Sequence, residues 1–268
     1  MKAKTVKRRD FLKSSAALAV VAGVDASARV NLNPDQVQEF YELRIYEAAS
    51  AEKKAVLDTY LQNALIPAFG RMGIDRIGAF TNLDEPEDLS VFLLIPYPTL
   101  AHFADVNPKL LADKAYQEAA RDYFSAPKEE PVFVRIHSRF YKAFAGMPVI
   151  ELPAQTAGRE ARMFELRIYE SHTEEKAARK VDMFNSGEID VMRETELAPV
   201  FFGEGLIGND VPHLAYMLSA PNREAHESHW GFFGAHPEWK RMSSMEKYKD
   251  TVSKITNYFL VPTAYSQI

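Results

Sequence analysis

The sequence contains one charged, strand-like heptad twice. YELRIYE at Tyr41–Glu47 returns as FELRIYE at Phe164–Glu170, and the copies start 123 residues apart in a chain of 268 residues. Repetition of this kind indicates a duplicated structural unit, and it has to be recognised before single elements are assigned. Because the heptad contains no catalytic motif, it predicts architecture before it predicts chemistry.

Hydrophobic periodicity and turn residues predict the same order of elements around each heptad. The first copy has predicted strands at Glu39–Glu47, Ile74–Asn82, Leu89–Tyr97 and Val132–Tyr141, and predicted helices at Ser50–Met72 and Pro108–Phe124. The second copy has predicted strands at Arg162–Glu170, Val200–Ile207, His213–Ala220 and Ile255–Ala264, and predicted helical segments at Thr173–Leu197 and Asn222–Tyr248, broken near Gly187 and Pro237. Each unit is β-α-β-β-α-β, so the fold class is α+β with two tandem ferredoxin-like units.

The predicted boundaries are 39–141 for domain 1, 142–161 for a linker and 162–268 for domain 2. The linker has two prolines, two glycines and no periodicity, and its apolar stretch Val149–Leu152 is expected to lie against one domain. Each sheet has helices for only one of its faces. We therefore expect the two sheets to pack on each other as an intrachain pseudo-dimer.

These features resemble the NIPSNAP family. The resemblance rests on the two ELRIYE strands, on the helix leading into LIPAFGRMG or LAPVFFGEG in each copy, and on AHPEWKRM at Ala235–Met242. The first copy has KLLADKAYQEA in place of AHPEWKRM and lacks its tryptophan. The resemblance implies a dimeric α+β barrel, in which two ferredoxin-like sheets face each other and close.

Alternation along a strand places the polar residues of the heptad on one face and the aliphatic residues on the other. The polar face comprises Glu42, Arg44, Tyr46, Glu165, Arg167 and Tyr169. We expect the aliphatic face to pack on the helices and the polar face to look into the barrel. A buried arginine needs a partner, so each copy should contain a hydrogen-bonded network. That network either fixes strand register and barrel closure or binds an anionic or carbonyl-bearing ligand.

A second group of candidates lies in EAHESHWGFFGAHPEW: His226, His229, Trp230, His236 and Trp239. The spacing of His226 and His229 places both on one side of a helix, which suits a metal or a proton relay. The spacing marks no third ligand and H-E-x-x-H does not occur, so no metal site is predicted, and we expect a helix-surface pair beside carboxylates. We interpret both tryptophans as hydrophobic packing rather than a cofactor box. No catalytic residue and no cofactor is assigned.

The N-terminal segment Met1–Ala28 has the layout of an export signal. A basic stretch precedes an apolar run that is too short to cross a bilayer, which takes about 20 apolar residues, and RRDFLK at Arg8–Lys13 resembles the twin-arginine motif. A general secretory signal is the alternative. We expect a periplasmic or secreted protein, exported folded by the twin-arginine route, without a stable membrane anchor.

Charge and cysteine content exclude several partners and chemistries. The signal carries six Lys/Arg and two Asp, so the remaining chain has a net charge of −9 against −5 for the whole. This acidic balance argues against nucleic acid as a partner. The chain has no cysteine and therefore neither disulfides nor thiolate ligands.

The sequence favours an exported NIPSNAP-domain protein that binds a small ligand or a protein partner through its barrel. An enzyme of the dimeric α+β barrel type is the alternative by fold analogy, with monooxygenase, isomerase or haem-dependent chemistry. A third interpretation is a structural module whose helices mediate assembly, for example into a homo-oligomer.

Overall fold

The computed structural model describes residues 37–268. Their strands are β1 (Phe40–Ala48), β2 (Gly78–Asn82), β3 (Ser90–Tyr97), β4 (Phe133–Ala143), β5 (Met163–Glu170), β6 (Pro199–Ile207), β7 (His213–Ala220) and β8 (Lys254–Pro262). Their helices are α1 (Ala51–Tyr60), α2 (Ile66–Arg71), α3 (Leu100–Ala112), α4 (Lys114–Ala119), α5 (Arg121–Phe124), α6 (Glu174–Met183), α7 (Ile189–Glu194), α8 (Arg223–Ala235) and α9 (Pro237–Ser243). In this part of the chain, no helix combines the length and the apolar character that crossing a membrane requires.

These strands close into one antiparallel barrel in the order β1-β3-β2-β8-β5-β7-β6-β4. The two copies meet where β2 pairs with β8 and where β4 pairs with β6. The registers of the copies correspond: Arg44 lies opposite Leu93 on β3, and Arg167 lies opposite Tyr216 on β7. The predicted dimeric α+β barrel, formed within one chain, is confirmed.

The barrel interior is filled by apolar side chains from every strand. The two heptad strands contribute Tyr41, Leu43, Ile45, Phe164, Leu166 and Ile168. Aromatic rings of the two copies touch across the interior, with centroid distances of 4.8 Å for Phe80 and Phe164 and 5.1 Å for Tyr41 and Phe201. The interior is therefore a packed core, as in other barrels of this size.

The helices cover the outer face of the barrel, and the sequence locates most of their ends. The Ser50 hydroxyl caps α1, accepting a hydrogen bond from the backbone N–H of Lys53. The prediction that the second helical segment of domain 1 begins at Pro108 is wrong. The hydroxyl of Thr99 caps α3 one residue before Leu100, and Pro108 lies inside the helix. Strand β2 begins at Gly78 and not at the predicted Ile74. Arg76 adopts a left-handed conformation (φ 56°), which interrupts the extended backbone before the strand.

The segment between the copies is anchored to both of them. Ile150 is buried with the barrel interior, and its backbone N–H donates to Oε2 of Glu39 (2.8 Å). The N–H of Glu151 donates to the carbonyl of Val200 on β6 (2.9 Å). The expectation that Val149–Leu152 lies against one domain is therefore wrong, since the segment bridges the sheet of domain 1 and the sheet of domain 2.

Candidate functional site

The polar face of each heptad lies on the outside of the barrel, beneath the helices, and not in the interior. The expectation that Glu42, Arg44, Tyr46, Glu165, Arg167 and Tyr169 face the barrel is wrong. Tyr46 and Tyr169 belong to the cores between sheet and helices, whereas Leu43 and Leu166 belong to the interior. Around the heptads the interior is lined by apolar side chains, whereas on the outer face neighbouring strands, helices and solvent supply partners for the charged residues.

In domain 1 the network is complete. Nε and Nη2 of Arg44 donate to the two carboxylate oxygens of Glu42 (2.9 and 2.8 Å), and Nη1 donates to the Tyr46 hydroxyl (3.2 Å). Glu42 also accepts from the hydroxyls of Ser138 on β4 (2.7 Å) and Tyr97 on β3 (2.9 Å). Every guanidinium nitrogen thus has a protein partner, which confirms the predicted network.

In domain 2 the glutamate has more partners from the helical layer. Oε1 of Glu165 accepts from Nη1 of Arg167 (2.6 Å) and Nδ2 of Asn257 on β8 (3.2 Å). Oε2 lies 2.8 Å from Nε2 of His226 and accepts from Nε1 of Trp230 (2.9 Å), both on α8. His226 and Trp230, singled out from the sequence for a different reason, therefore belong to the same site as the heptad.

The two arginines differ in what they leave open. Nε of Arg167 donates to the Tyr169 hydroxyl (3.1 Å), and Nη1 is bound to Glu165. No described residue accepts a hydrogen bond from Nη2 of Arg167, and 16% of this side chain is exposed. The Arg167 guanidinium carbon lies 4.8 Å from the centroid of the Trp230 ring. Domain 2 thus presents a positioned donor beside an aromatic surface, and domain 1 does not.

Both glutamates are ionised at neutral pH in spite of their burial. Burial raises the pKa of Glu42, but the charge of Arg44 and the hydrogen bonds to Glu42 outweigh it, so the pKa lies below its usual value. Burial also raises the pKa of Glu165, and the hydrogen bond from His226 and the charge of Arg167 lower it further than burial raises it. Each glutamate therefore forms an ion pair with the arginine of its own heptad.

The histidines of α8 and its neighbour occupy different environments. His226 is 2% exposed, so the expectation of a helix-surface pair is wrong for this residue, and its Nδ1 has no partner among the described residues. Nε2 of His229 lies 3.4 Å from Glu196, and Nε2 of His236 lies 3.2 Å from Glu194. The structure does not bring these two histidines to the site of Arg167. His236 instead caps α9, accepting from the backbone N–H of Glu238.

Trp239 packs beside a buried ion pair that sequence patterns did not indicate. Nζ of Lys180 lies 2.7 Å from Oε2 of Glu188, 4.4 Å from the centroid of the Phe184 ring and 5.6 Å from that of Trp239. Burial raises the pKa of Glu188, although the Lys180 ammonium acts in the opposite direction. An alignment of the two copies on their heptads places Lys180 and Glu188 opposite Leu57 and Leu65 of domain 1. Two opposite charges at positions that are apolar in the other copy are the sequence signal for this pair.

The closed eight-stranded barrel with helices on its outer face defines a dimeric α+β barrel protein. The sequence profile of the NIPSNAP family matches residues 41–146 and 164–267. The chain therefore belongs to the NIPSNAP family and carries its domain twice.

Solved structures similar to this chain include two proteins provisionally assigned as monooxygenases. The protein from Lactobacillus acidophilus is 11% identical, with a TM-score of 0.57, and the match covers 84% of this chain and 94% of that one. The protein from Fusobacterium nucleatum is 9% identical, with a TM-score of 0.51 and coverage of 84% and 93%. At these identities the similarity shows the fold alone. No protein of curated function matches the sequence.

Proposed function

We propose that the protein binds a small molecule through a carboxylate or carbonyl oxygen on the outer face of domain 2, with Arg167 as the principal donor. The observation that carries this proposal is the open Nη2 of Arg167, on a guanidinium that Glu165 and Tyr169 hold in place. Arg44 of domain 1, by contrast, has a protein partner for each of its three guanidinium nitrogens. An oriented N–H donor of a charged group forms strong hydrogen bonds to carboxylate and carbonyl oxygens.

The surroundings of Arg167 favour a ligand with a flat apolar body. The rings of Trp230 and Tyr169 lie 4.8 and 5.5 Å from the Arg167 guanidinium carbon, and Phe259 on β8 is half-buried next to His226. Asn257 is exposed on the same strand, so this face is open to solvent along β8. Small-molecule sites commonly combine such apolar walls with a few oriented polar groups.

Tryptophan fluorescence tests the proposal, because both tryptophans of the chain, Trp230 and Trp239, lie in domain 2. Benzoate serves as the anionic probe, acetophenone as the neutral carbonyl probe, and benzyl alcohol as the control without a carbonyl. We expect a saturable change with the first two probes. Arg167→Met should weaken binding roughly 10- to 150-fold, the effect of losing one hydrogen bond to a charged group.

Arg44→Met is the matched control, since it removes the corresponding arginine of domain 1. It should leave the fluorescence titration unchanged. Equal weakening by the two substitutions, or no saturable change with either carbonyl probe, would refute the assignment. Comparison of benzoate with acetophenone shows whether the site prefers the anion.

Catalysis is a second candidate, favoured by one observation. The hydrogen-bonded Glu165 and His226 pair lies beside the open donor of Arg167 and forms a carboxylate–imidazole arrangement that can hold a proton. The relatives provisionally assigned as monooxygenases make an oxidative reaction the first to examine. Inserting one atom of O₂ into the substrate leaves the other to be reduced to water, so the assay contains reduced flavin as the two-electron donor. Oxygen uptake that depends on acetophenone, measured for the native chain and for His226→Gln, separates turnover from binding.

A further inference from the structure

A groove between helices of domain 1 has no counterpart in domain 2. Helix α1 contributes Ala55, Thr59 and Tyr60 to it, and α4 and α5 contribute Ala119, Asp122 and Tyr123. Its volume is about 220 Å³, enough for a small organic molecule. This groove lies in the other copy of the domain from Arg167, so an inference about it stands independently of the proposed function.

The repeat shows that the fold does not need this groove. At the corresponding positions of domain 2, Met183 replaces Tyr60 and Met242 replaces Ala119, and both methionines are buried against Tyr248. Asp182, which replaces Thr59, accepts hydrogen bonds from the Tyr248 hydroxyl (2.8 Å) and from Nζ of Lys247 (3.1 Å). Domain 2 thus fills and bridges the region that domain 1 leaves open.

The chemistry of the groove suits a cation. Tyr60 and Tyr123 are stacked, with centroids 3.8 Å apart, and form an aromatic part of the wall. Asp122 is negatively charged, and the other residues that line the groove are uncharged. No described residue donates a hydrogen bond to the Asp122 carboxylate. Arg121, the nearest basic residue in sequence, is 3.2 Å from Glu118 and is already paired. Aromatic rings and an unpaired carboxylate together are the usual components of ammonium recognition.

We infer that this groove of domain 1 is a binding site for a small organic cation of the quaternary ammonium class. The positive group would lie beside the stacked pair of Tyr60 and Tyr123 and next to the carboxylate of Asp122, with Ala119 leaving the space for it. The ring walls supply contact with the methyl groups, and the carboxylate supplies the charge preference.

Saturation-transfer NMR with choline tests the inference, and its neutral isostere 3,3-dimethylbutan-1-ol is the matched ligand. We expect choline to bind in preference to the neutral analogue. Ala119→Met, which introduces the residue that fills domain 2, should reduce choline binding at least tenfold. Asp122→Asn should weaken it roughly twofold to fivefold, the effect of an exposed ion pair.

The control for Ala119→Met is Ala104→Met, the same change at another exposed alanine of the helical layer, on α3. It should leave choline binding unchanged, as should Arg167→Met. Equal binding of choline and the neutral analogue would refute a cation site. Retention of choline binding by Ala119→Met would refute this location. Loss of choline binding in Arg167→Met instead would assign the cation to the site in domain 2 and overturn the inference.

Discussion

Replacing Lys180 with leucine is expected to destabilise the protein strongly, although leucine is the residue that domain 1 has at this position. Lys180 and Glu188 are 5% and 2% exposed. Within residues 37–268, the carboxylate of Glu188 accepts one hydrogen bond, from Nζ of Lys180 at 2.7 Å. Removing the lysine leaves a buried carboxyl without a counter-charge. Breaking one partner of a buried ion pair typically costs about 3–5 kcal/mol.

The size of this loss follows from the protonation of Glu188. The carboxyl of the variant avoids a buried charge by remaining protonated in the folded state, while in the unfolded chain it ionises near its ordinary pKa of 4.5. Holding a proton at pH 7 against that pKa costs about 3.4 kcal/mol, at about 1.36 kcal/mol for each pH unit. This figure is an upper bound on the loss relative to the native chain, because the pKa of Glu188 is already raised there. Because the folded-state pKa is raised, this cost grows as the pH rises above 4.5 and disappears below it. The Lys180→Leu variant should therefore regain stability on acidification to about pH 4.5.

The double variant Lys180→Leu/Glu188→Leu recreates the pair of domain 1, Leu57 and Leu65, which are both buried. Replacing a buried ion pair with apolar residues of similar size is often neutral or stabilising by about 1–4 kcal/mol. We expect the double variant to be at least as stable as the native chain. Its stability should also lack the pH dependence of the single variant.

Urea unfolding followed by tryptophan fluorescence measures these free energies, since Trp239 lies 5.6 Å from the Lys180 ammonium. The control is Lys109→Leu, which removes the exposed pair with Asp105 and should cost less than about 1 kcal/mol. A loss below about 1 kcal/mol for Lys180→Leu, constant between pH 7 and pH 4.5, would show that water reaches Glu188. A double variant as unstable as the single one would show that the ion pair itself is required.

Two further predictions concern acid stability and export. The folded-state pKa of Glu42 is lowered from 4.5, so the contribution of this carboxylate to stability is present above pH 4.5 and is lost as the pH falls through the folded-state value. In urea unfolding, the free energy of unfolding should therefore fall less between about pH 5 and pH 3 for Glu42→Gln than for the native chain. We propose that Arg8 and Arg9, which lie outside the described residues, direct export by the twin-arginine route. The precursor of the Arg8→Lys/Arg9→Lys variant should then remain in the cytoplasmic fraction, with the fold of residues 37–268 unchanged. Normal export of this variant would favour a general secretory signal.

The sequence predicts the architecture well, because each strand and helix repeats. Two independent copies of the same order of elements limit the error in each, and His213–Ala220 is predicted to the residue. The pseudo-dimer follows from a simple requirement, since a sheet with helices on one face needs another partner for its second face. Helix starts are less well predicted where a capping residue and a proline compete, as Thr99 and Pro108 do.

The orientation of the heptad could not be obtained from alternation. Alternation shows that Glu42, Arg44 and Tyr46 point the same way, but in this barrel both faces of β1 are buried, so either face could be the interior. What decides the orientation is the composition of the layers. Around the heptad the interior is lined mainly by apolar side chains, whereas the outer face offers Glu42 the hydroxyls of Tyr97 and Ser138. Those partners come from other strands and are not adjacent in sequence.

Because both copies fold to the same architecture, differences between them at corresponding positions are not required by the fold. His226 on α8 corresponds to Phe103 on α3, which packs on Phe140 at 4.3 Å, so a phenylalanine suffices there for folding. The open groove at Ala119 and the open donor of Arg167 likewise each occur in one copy only. A duplicated domain can change one copy while the other maintains the barrel. Function in this chain is therefore expected where the copies diverge, which for Arg167 means its surroundings on α8 and β8, where His226, Trp230 and Asn257 contact the heptad.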